Sequence, residues 1–129
     1  MTSKLFKDLK LIAENVPKVA NAQIAAAIVY KRQLISVGFN QKKTHPFQKT
    51  FSKNPDAIYL HAETSAIYNA LKKVSVEELK KCSLYIFRIK SDGSTGLAKP
   101  CVGCMKCITT FDLKAVYYTD ENMNHFIKL

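Results

Sequence analysis

Two short stretches of this sequence carry the residue types of metal chemistry. In LHAETSAI, residues 60–67, His61 and Glu63 stand two apart at what reads as the start of a helix, where neither suits a buried apolar face. In KPCVGCMKC, residues 99–107, three of the four cysteines crowd into seven positions. Cys101 and Cys104 are three apart at a second helical N-terminus, so their sulfurs share one side and can grip a single ion. The positive end of that helix favours the thiolate form that coordination requires. With His61 as a third ligand, two thiolates and one imidazole match a tetrahedral zinc site whose fourth position is left to water. Glu63 then has a task, taking a proton from that water and delivering it as general acid and base without touching the metal.

The rival is a structural zinc site, which needs a fourth protein ligand, and Cys107 is the candidate. On a continuing helix, however, Cys107 is turned about 60° from Cys104 and displaced about 4.5 Å along the axis. It is expected to pack in the core, as is Cys82 at its strand start. An iron–sulfur cluster would leave Glu63 unexplained.

The elements that must position these groups follow from periodicity. Leu5, Leu9, Ile12 and Val16 recur at helical spacing, predicting a first helix capped by Ser3 and stopped by Pro17. Two strands, Ile24 to Tyr30 and Leu34 to Phe39, flank a polar turn at Lys31 to Gln33. The first is a nearly continuous apolar run, as for a central strand covered on both faces. Asn40 to Pro55 shows no steady period and is expected as a long loop. A helix from Tyr59 or Leu60 to Lys73, a strand at 82–90, a helix from Pro100 to Phe111 and a strand at 114–118 complete the series, with HFIKL offering a last short strand. Alternating strands and helices predict a three-layer α/β/α domain over residues 1–129, its mixed sheet of about five strands combining an antiparallel hairpin with parallel crossovers. In such sheets functional groups collect at the carboxyl ends of the parallel strands, where His61 and Cys101 fall.

With 129 residues, 47% of them hydrophobic, the chain suits one domain with one core. It has no apolar run long enough to span a membrane and no signal-peptide pattern at its start, so a cytoplasmic protein with reduced cysteines is expected. The formal charge is +10. From Asn15 to Pro55 there is no acidic residue, while Lys18, Lys31, Arg32, Lys42, Lys43, Lys49 and Lys53 lie in that window. Such a field favours phosphate-bearing ligands, either free nucleotide or polynucleotide. Phe47 and Phe51, in the long loop, are expected either to stack on a base or to pin that loop to the body.

The His61-Ala62-Glu63 segment, followed by Pro100-Cys101-Val102-Gly103-Cys104, resembles the H-x-E…P-C-x-x-C pattern of the zinc-dependent cytidine and deoxycytidylate deaminase superfamily. The resemblance covers about Ile24 to Thr119. It implies one zinc ion per chain, hydrolytic attack on C4 of a cytosine-like ring or C6 of a purine, and Glu63 as the proton shuttle to ring nitrogen and departing ammonia. It also implies that Gly38-Phe39-Asn40 is similar to the segment whose asparagine holds sugar or base, and that Ala62 approaches the base through its backbone amide. Asn40, Phe39 and Ala62 are thus expected substrate contacts, and Lys42 and Lys43, in the loop that the inferred fold threads between Asn40 and His61, are expected to meet a phosphate. About ten residues follow Thr119, too few for a further helix and a parallel strand. The last strand is therefore a brief antiparallel return or is missing, and a neighbouring subunit of a homo-oligomer is expected to supply pocket walls. Three functions compete: deamination of a free cytosine nucleotide or nucleoside, deamination within single-stranded DNA or RNA, and a zinc-stabilised binding module without turnover.

Overall fold

The computed structural model describes residues 2–18, 22–42, 45–51 and 60–129. Its elements run α1 (Thr2–Glu14), β1 (Gln23–Tyr30), β2 (Gln33–Phe39), α2 (Pro46–Phe51), α3 (Ala62–Ala70), α4 (Val76–Leu79), β3 (Ser83–Ile89), β4 (Thr95–Gly96), α5 (Val102–Phe111), β5 (Ala115–Tyr118) and β6 (Ile127–Lys128). The sheet has six strands in the order β2-β1-β3-β5-β6, with β4 paired to β3. β1 runs antiparallel to both β2 and β3, whereas β3 and β5 are parallel. β2 and β3 therefore point the same way across β1, and α3 is their crossover.

The apolar run of β1 is buried because helices cover both sides of it. Ala26 and Ile28 face Ala66, Ile67 and Ala70 of α3 and, with Leu84, Ile86 and Val116, join Cys107 and Ile108 of α5 in one core. Ala25, Ala27 and Val29 point the other way, towards Leu5, Phe6, Leu9 and Ala13 of α1. The result is the expected three-layer α/β/α arrangement. Each fully buried Leu, Ile or Phe of these two cores contributes about 1.5–3 kcal/mol.

Several elements differ from their sequence-based expectations. α1 begins before Ser3, which lies inside the helix rather than capping it, and ends at Glu14, three residues before Pro17. The stretch expected as a loop contains α2, with Pro46 at its first position, where a missing amide proton costs nothing. The phenylalanine rings of α2 are turned inward: Phe47 stacks on Phe111 at 6.0 Å between centroids, and Phe51 lies 6.2 Å from the same ring. They pin the segment to α5 instead of presenting a stacking surface. α3 stops at Ala70, and α4 follows under a capping box in which the Ser75 hydroxyl accepts from the Glu78 amide while the Glu78 carboxylate accepts from Ser75 N–H. Six strands stand where about five were expected, because β4 adds a short antiparallel pair beyond β3. Of the two options for the tail, the brief antiparallel return is the one found, β6 against β5.

The β1–β2 hairpin is unusual. Tyr30 pairs with Gln33, leaving Lys31 and Arg32 as a two-residue turn with φ of 46° and 68°. Both positions demand the left-handed region that Asn-Gly fills most easily, and a side chain with a Cβ there costs about 1–2 kcal/mol per residue.

Candidate metal centre

His61 is the N-cap residue of α3, with extended backbone (φ −83°, ψ 157°), and its side chain does not cap its own helix. Gln48, fully buried on α2, accepts the His61 N–H at Oε1 (3.0 Å) and also receives the Thr64 hydroxyl. The imidazole turns towards α5, where its Nδ1 meets two sulfurs. Cys101 is the N-cap of α5, one residue after Pro100, and its Sγ accepts from Cys104 N–H at 3.5 Å. The approach to it is tied down where Ala98 N–H donates to Thr119 O (2.9 Å) and the Thr119 hydroxyl to Gly96 O (2.8 Å).

These two helix starts bring three ligand atoms together. His61 Nδ1 lies 3.3 Å from Cys104 Sγ and 3.5 Å from Cys101 Sγ, and all three atoms fall within 4.8 Å of one another. Tetrahedral coordination with about 2.3 Å to sulfur and about 2.05 Å to nitrogen places such N and S atoms about 3.5 Å apart. The residues present therefore fit zinc in both type and spacing. Among the described residues no other group of this kind occurs. Cys107, fully buried in the α3/α5 core, is outside it, and burial pushes its thiol up to about 12. Cys82 is buried as well, with Sγ 3.4 Å from Glu78 O.

The two sulfurs are electrostatically unequal. Hydrogen bonds from Cys104 and His61 hold the exposed Cys101 down to about 3, a thiolate. Cys104, buried and donating to that thiolate, is held well above the ordinary thiol range. The bond to Cys101, opposed by burial and helped by the Glu63 charge, raises His61. Glu63 is buried, at 6% exposure, and that burial raises its carboxyl although the His61 charge and a hydrogen bond with Cys104 pull the other way. It touches the ligand set without being one of the three.

The expected substrate residues divide. Ala62, fully buried, is the first residue of α3, and its amide belongs to the turn whose N–H groups lack intrahelical partners. Asn40 is buried at the end of β2; its Nδ2 donates to Ala22 O (3.1 Å) and its Oδ1 accepts from Ile24 N–H (3.0 Å), so its amide also fastens the start of β1. Phe39 faces the opposite layer, where it borders a cavity with Leu11, Ile12 and Pro17 of the α1 end. Lys42 is exposed two residues beyond Asn40, and Lys43 lies outside the described residues. His45 Nδ1 accepts from Phe47 N–H (3.1 Å) and so caps α2, while His125 is exposed. Tyr117 packs on the α1 side against Tyr85, and Tyr118 on the α3/α5 side.

Two contributors escaped the sequence reading. Gln48 was hidden in the stretch assigned as loop, although the i, i+4 pair Phe47 and Phe51 behind Pro46 is a helical signal. Gly38 is the other. A Cβ there would lie 2.7 Å from Ala62 O and against the Ala66 amide, so only glycine lets β2 approach α3 this closely. Ser36, whose hydroxyl donates to Ala66 O (2.7 Å), and Asn69, donating to Val37 O (3.0 Å), clamp the same contact.

Comparison with known proteins agrees with this geometry. The family model described as cytidine and deoxycytidylate deaminase zinc-binding region matches residues 2–120. The structure is similar to apo dCMP deaminase from the cyanophage S-TIM5, with 22% identity and a TM-score of 0.60 over 96% of this chain and 89% of that one. It is similar to guanine deaminase from Bacillus subtilis, with 26% identity and a TM-score of 0.56 over 92% of this chain and 62% of that one. It also resembles RibD of Acinetobacter baumannii, at 17% identity and a TM-score of 0.57, over 92% of this chain and 27% of that one. No curated protein sequence matches it. With the family pattern spanning nearly its whole length and its histidine and two cysteines placed to hold the metal, the chain belongs to the cytidine and deoxycytidylate deaminase zinc-binding family and is a zinc-dependent deaminase.

Proposed function

We propose that this chain deaminates a cytosine nucleotide or nucleoside of the deoxycytidylate or cytidine type, forming the uracil product and ammonia. The observation that carries the reading is the position of Glu63, a buried carboxyl in contact with Cys104 and facing His61 yet outside the ligand trio. A zinc ion held by His61, Cys101 and Cys104 supplies the Lewis acidity that makes water nucleophilic near neutral pH. Glu63 takes one proton from the attacking water and passes it to ring N3. As the bond from C4 to oxygen forms and the bond to nitrogen breaks, the carboxyl conveys a second proton to the departing amine. Its raised affinity for a proton suits both directions of transfer. The Ala62 amide is assigned to the base. Asn40, whose Oδ1 and Nδ2 each have capacity for one further hydrogen bond, is assigned to sugar or base. Lys42 adds positive charge at the same end of the sheet, as a phosphate requires.

The near full-length likeness to a dCMP deaminase favours a free cytosine nucleotide. A purine base is the second reading, favoured by the 26% identity with a guanine deaminase. Deamination within a single strand remains the polynucleotide alternative; a binding module without turnover leaves the buried Glu63 carboxyl without a role. The test incubates zinc-loaded protein with cytidine, deoxycytidine, CMP, dCMP, dCTP, guanine, adenosine and single-stranded oligonucleotides, and follows ammonia. Release from dCMP or another free cytosine compound, absent in Glu63→Ala, is expected. Release from guanine alone transfers the assignment to the purine reading, and release from none removes the catalytic proposal.

A further inference from the structure

The end of the sheet opposite the metal centre carries a groove of about 860 Å³. Five cations line it, and they arrive from three separate connections: Lys31 and Arg32 from the β1–β2 turn, Lys80 and Lys81 from the α4–β3 link, and Lys114 from the α5–β5 link. No carboxylate is among the lining residues. Glu77 pairs with Lys80 at the rim, 3.3 Å away and exposed, and Asp8 borders an adjoining cavity beside Arg32, so the groove itself stays strongly positive. The flanks are aromatic, with Tyr30 and the half-buried Tyr85. β2 begins at this groove and ends at Asn40's side of the molecule; its seven residues separate the two by about 20 Å, at roughly 3.3 Å per residue. One mononucleotide cannot reach both.

The turn supplies an independent observation. Lys31 and Arg32 occupy left-handed positions that Asn-Gly would fill without strain, and strained backbone at non-glycine residues collects at functional sites. Convergence of five like charges is also unfavourable in itself. Both costs are explained if the groove receives an anion.

We propose that this groove is a second ligand site, specific for a chain of phosphates, read by the five cations that converge on it. Four lysines and one arginine around a trough have the chemistry of a phosphate track, point charges for several phosphates in a row. The same chemistry is offered by a nucleoside triphosphate and by a single nucleic-acid strand. The site is independent of which base the metal centre deaminates.

The test measures binding of fluorescein-labelled oligothymidylate to the zinc-loaded protein by anisotropy, with unlabelled oligothymidylate, UTP and inorganic tripolyphosphate as competitors. None of these has an exocyclic amine to lose. The comparison variant is Lys31→Asn/Arg32→Gly, which should melt at a higher temperature than the native chain because it relieves the turn. Binding that weakens with salt and falls about tenfold or more in the variant, while deamination is unchanged, is expected. Competition by tripolyphosphate and UTP assigns the groove to free polyphosphates; displacement by oligothymidylate alone assigns it to a strand. If the variant binds as tightly as the native protein, or if no arm binds below millimolar concentration, the proposal is overturned. A Lys81→Gln/Lys114→Gln protein repeats the measurement on the opposite wall and must show the same loss.

Discussion

His61 turns its imidazole away from α3 while Gln48 satisfies its backbone amide. Its side chain makes no cap hydrogen bond to α3, and Gln48 Oε1 takes the His61 amide proton while also receiving the Thr64 hydroxyl. Gln48→Ala would leave the His61 amide facing a buried gap, a loss of about 1–3 kcal/mol, while the Thr64 hydroxyl keeps the His61 carbonyl as acceptor. We expect that variant to melt several degrees lower and to release zinc to a chelator faster than the native protein, as read by calorimetry and a colorimetric zinc indicator. The ligand trio was legible in the sequence because its spacing encodes its geometry: three residues along one helix start brings two sulfurs to one side. Gln48 was not, since a lone polar residue acquires meaning only when the chain folds it against a helix start thirteen positions away. Phe39 illustrates the same limit, because strand alternation turned it towards α1 once Gly38 faced α3.

At the scale of elements, the seating of α3 on β2 decides where His61 and Glu63 stand. Gly38→Ala places a methyl group against backbone atoms of Ala62 and Ala66, which cannot rotate aside as a side chain would. Overpacking of this kind costs about 1–3 kcal/mol, and shifting α3 should lower deaminase turnover more than stability alone explains, measured as kcat at a temperature where the variant stays folded. α4 gives a prediction in pH. The Ser75 backbone amide and hydroxyl hold the Glu78 carboxyl below its ordinary value of 4.5. A carboxyl depressed in the folded state adds stability that is fully present above 4.5 and lost as pH falls through the depressed folded value. Melting curves of Glu78→Gln should thus lie below those of the native protein at neutral pH and converge with them in acid. Long periodic segments such as β1 and α1 were readable from sequence, while α4 and β4, with four and two residues, are too short for periodicity to register and six-residue α2 offers the single i, i+4 pair Phe47 and Phe51. For α4 the Ser75 to Glu78 capping box was the available signal.

At the scale of the whole molecule, α3 and α5 deliver ligands forty positions apart in sequence to one point, and they do so from the end of the sheet away from the basic groove. Among the described residues no helix is long and apolar enough to cross a membrane. Exposed Val102 and Leu97, 70% and 45% accessible, flank the exposed ligand Cys101. They support the proposal that a second copy covers the mouth of the site; sedimentation velocity should then give a mass above the 14.5 kDa of one chain, and a single 14.5 kDa species would count against it. The central claim, one zinc on two sulfurs and one imidazole with a vertex open to water, is tested most directly by X-ray absorption at the zinc edge of the loaded protein. Two sulfur neighbours at about 2.3 Å and two lighter ones at about 2.0–2.1 Å are expected, unchanged in Cys107→Ala. A third sulfur in the shell, lost in that variant, would contradict it.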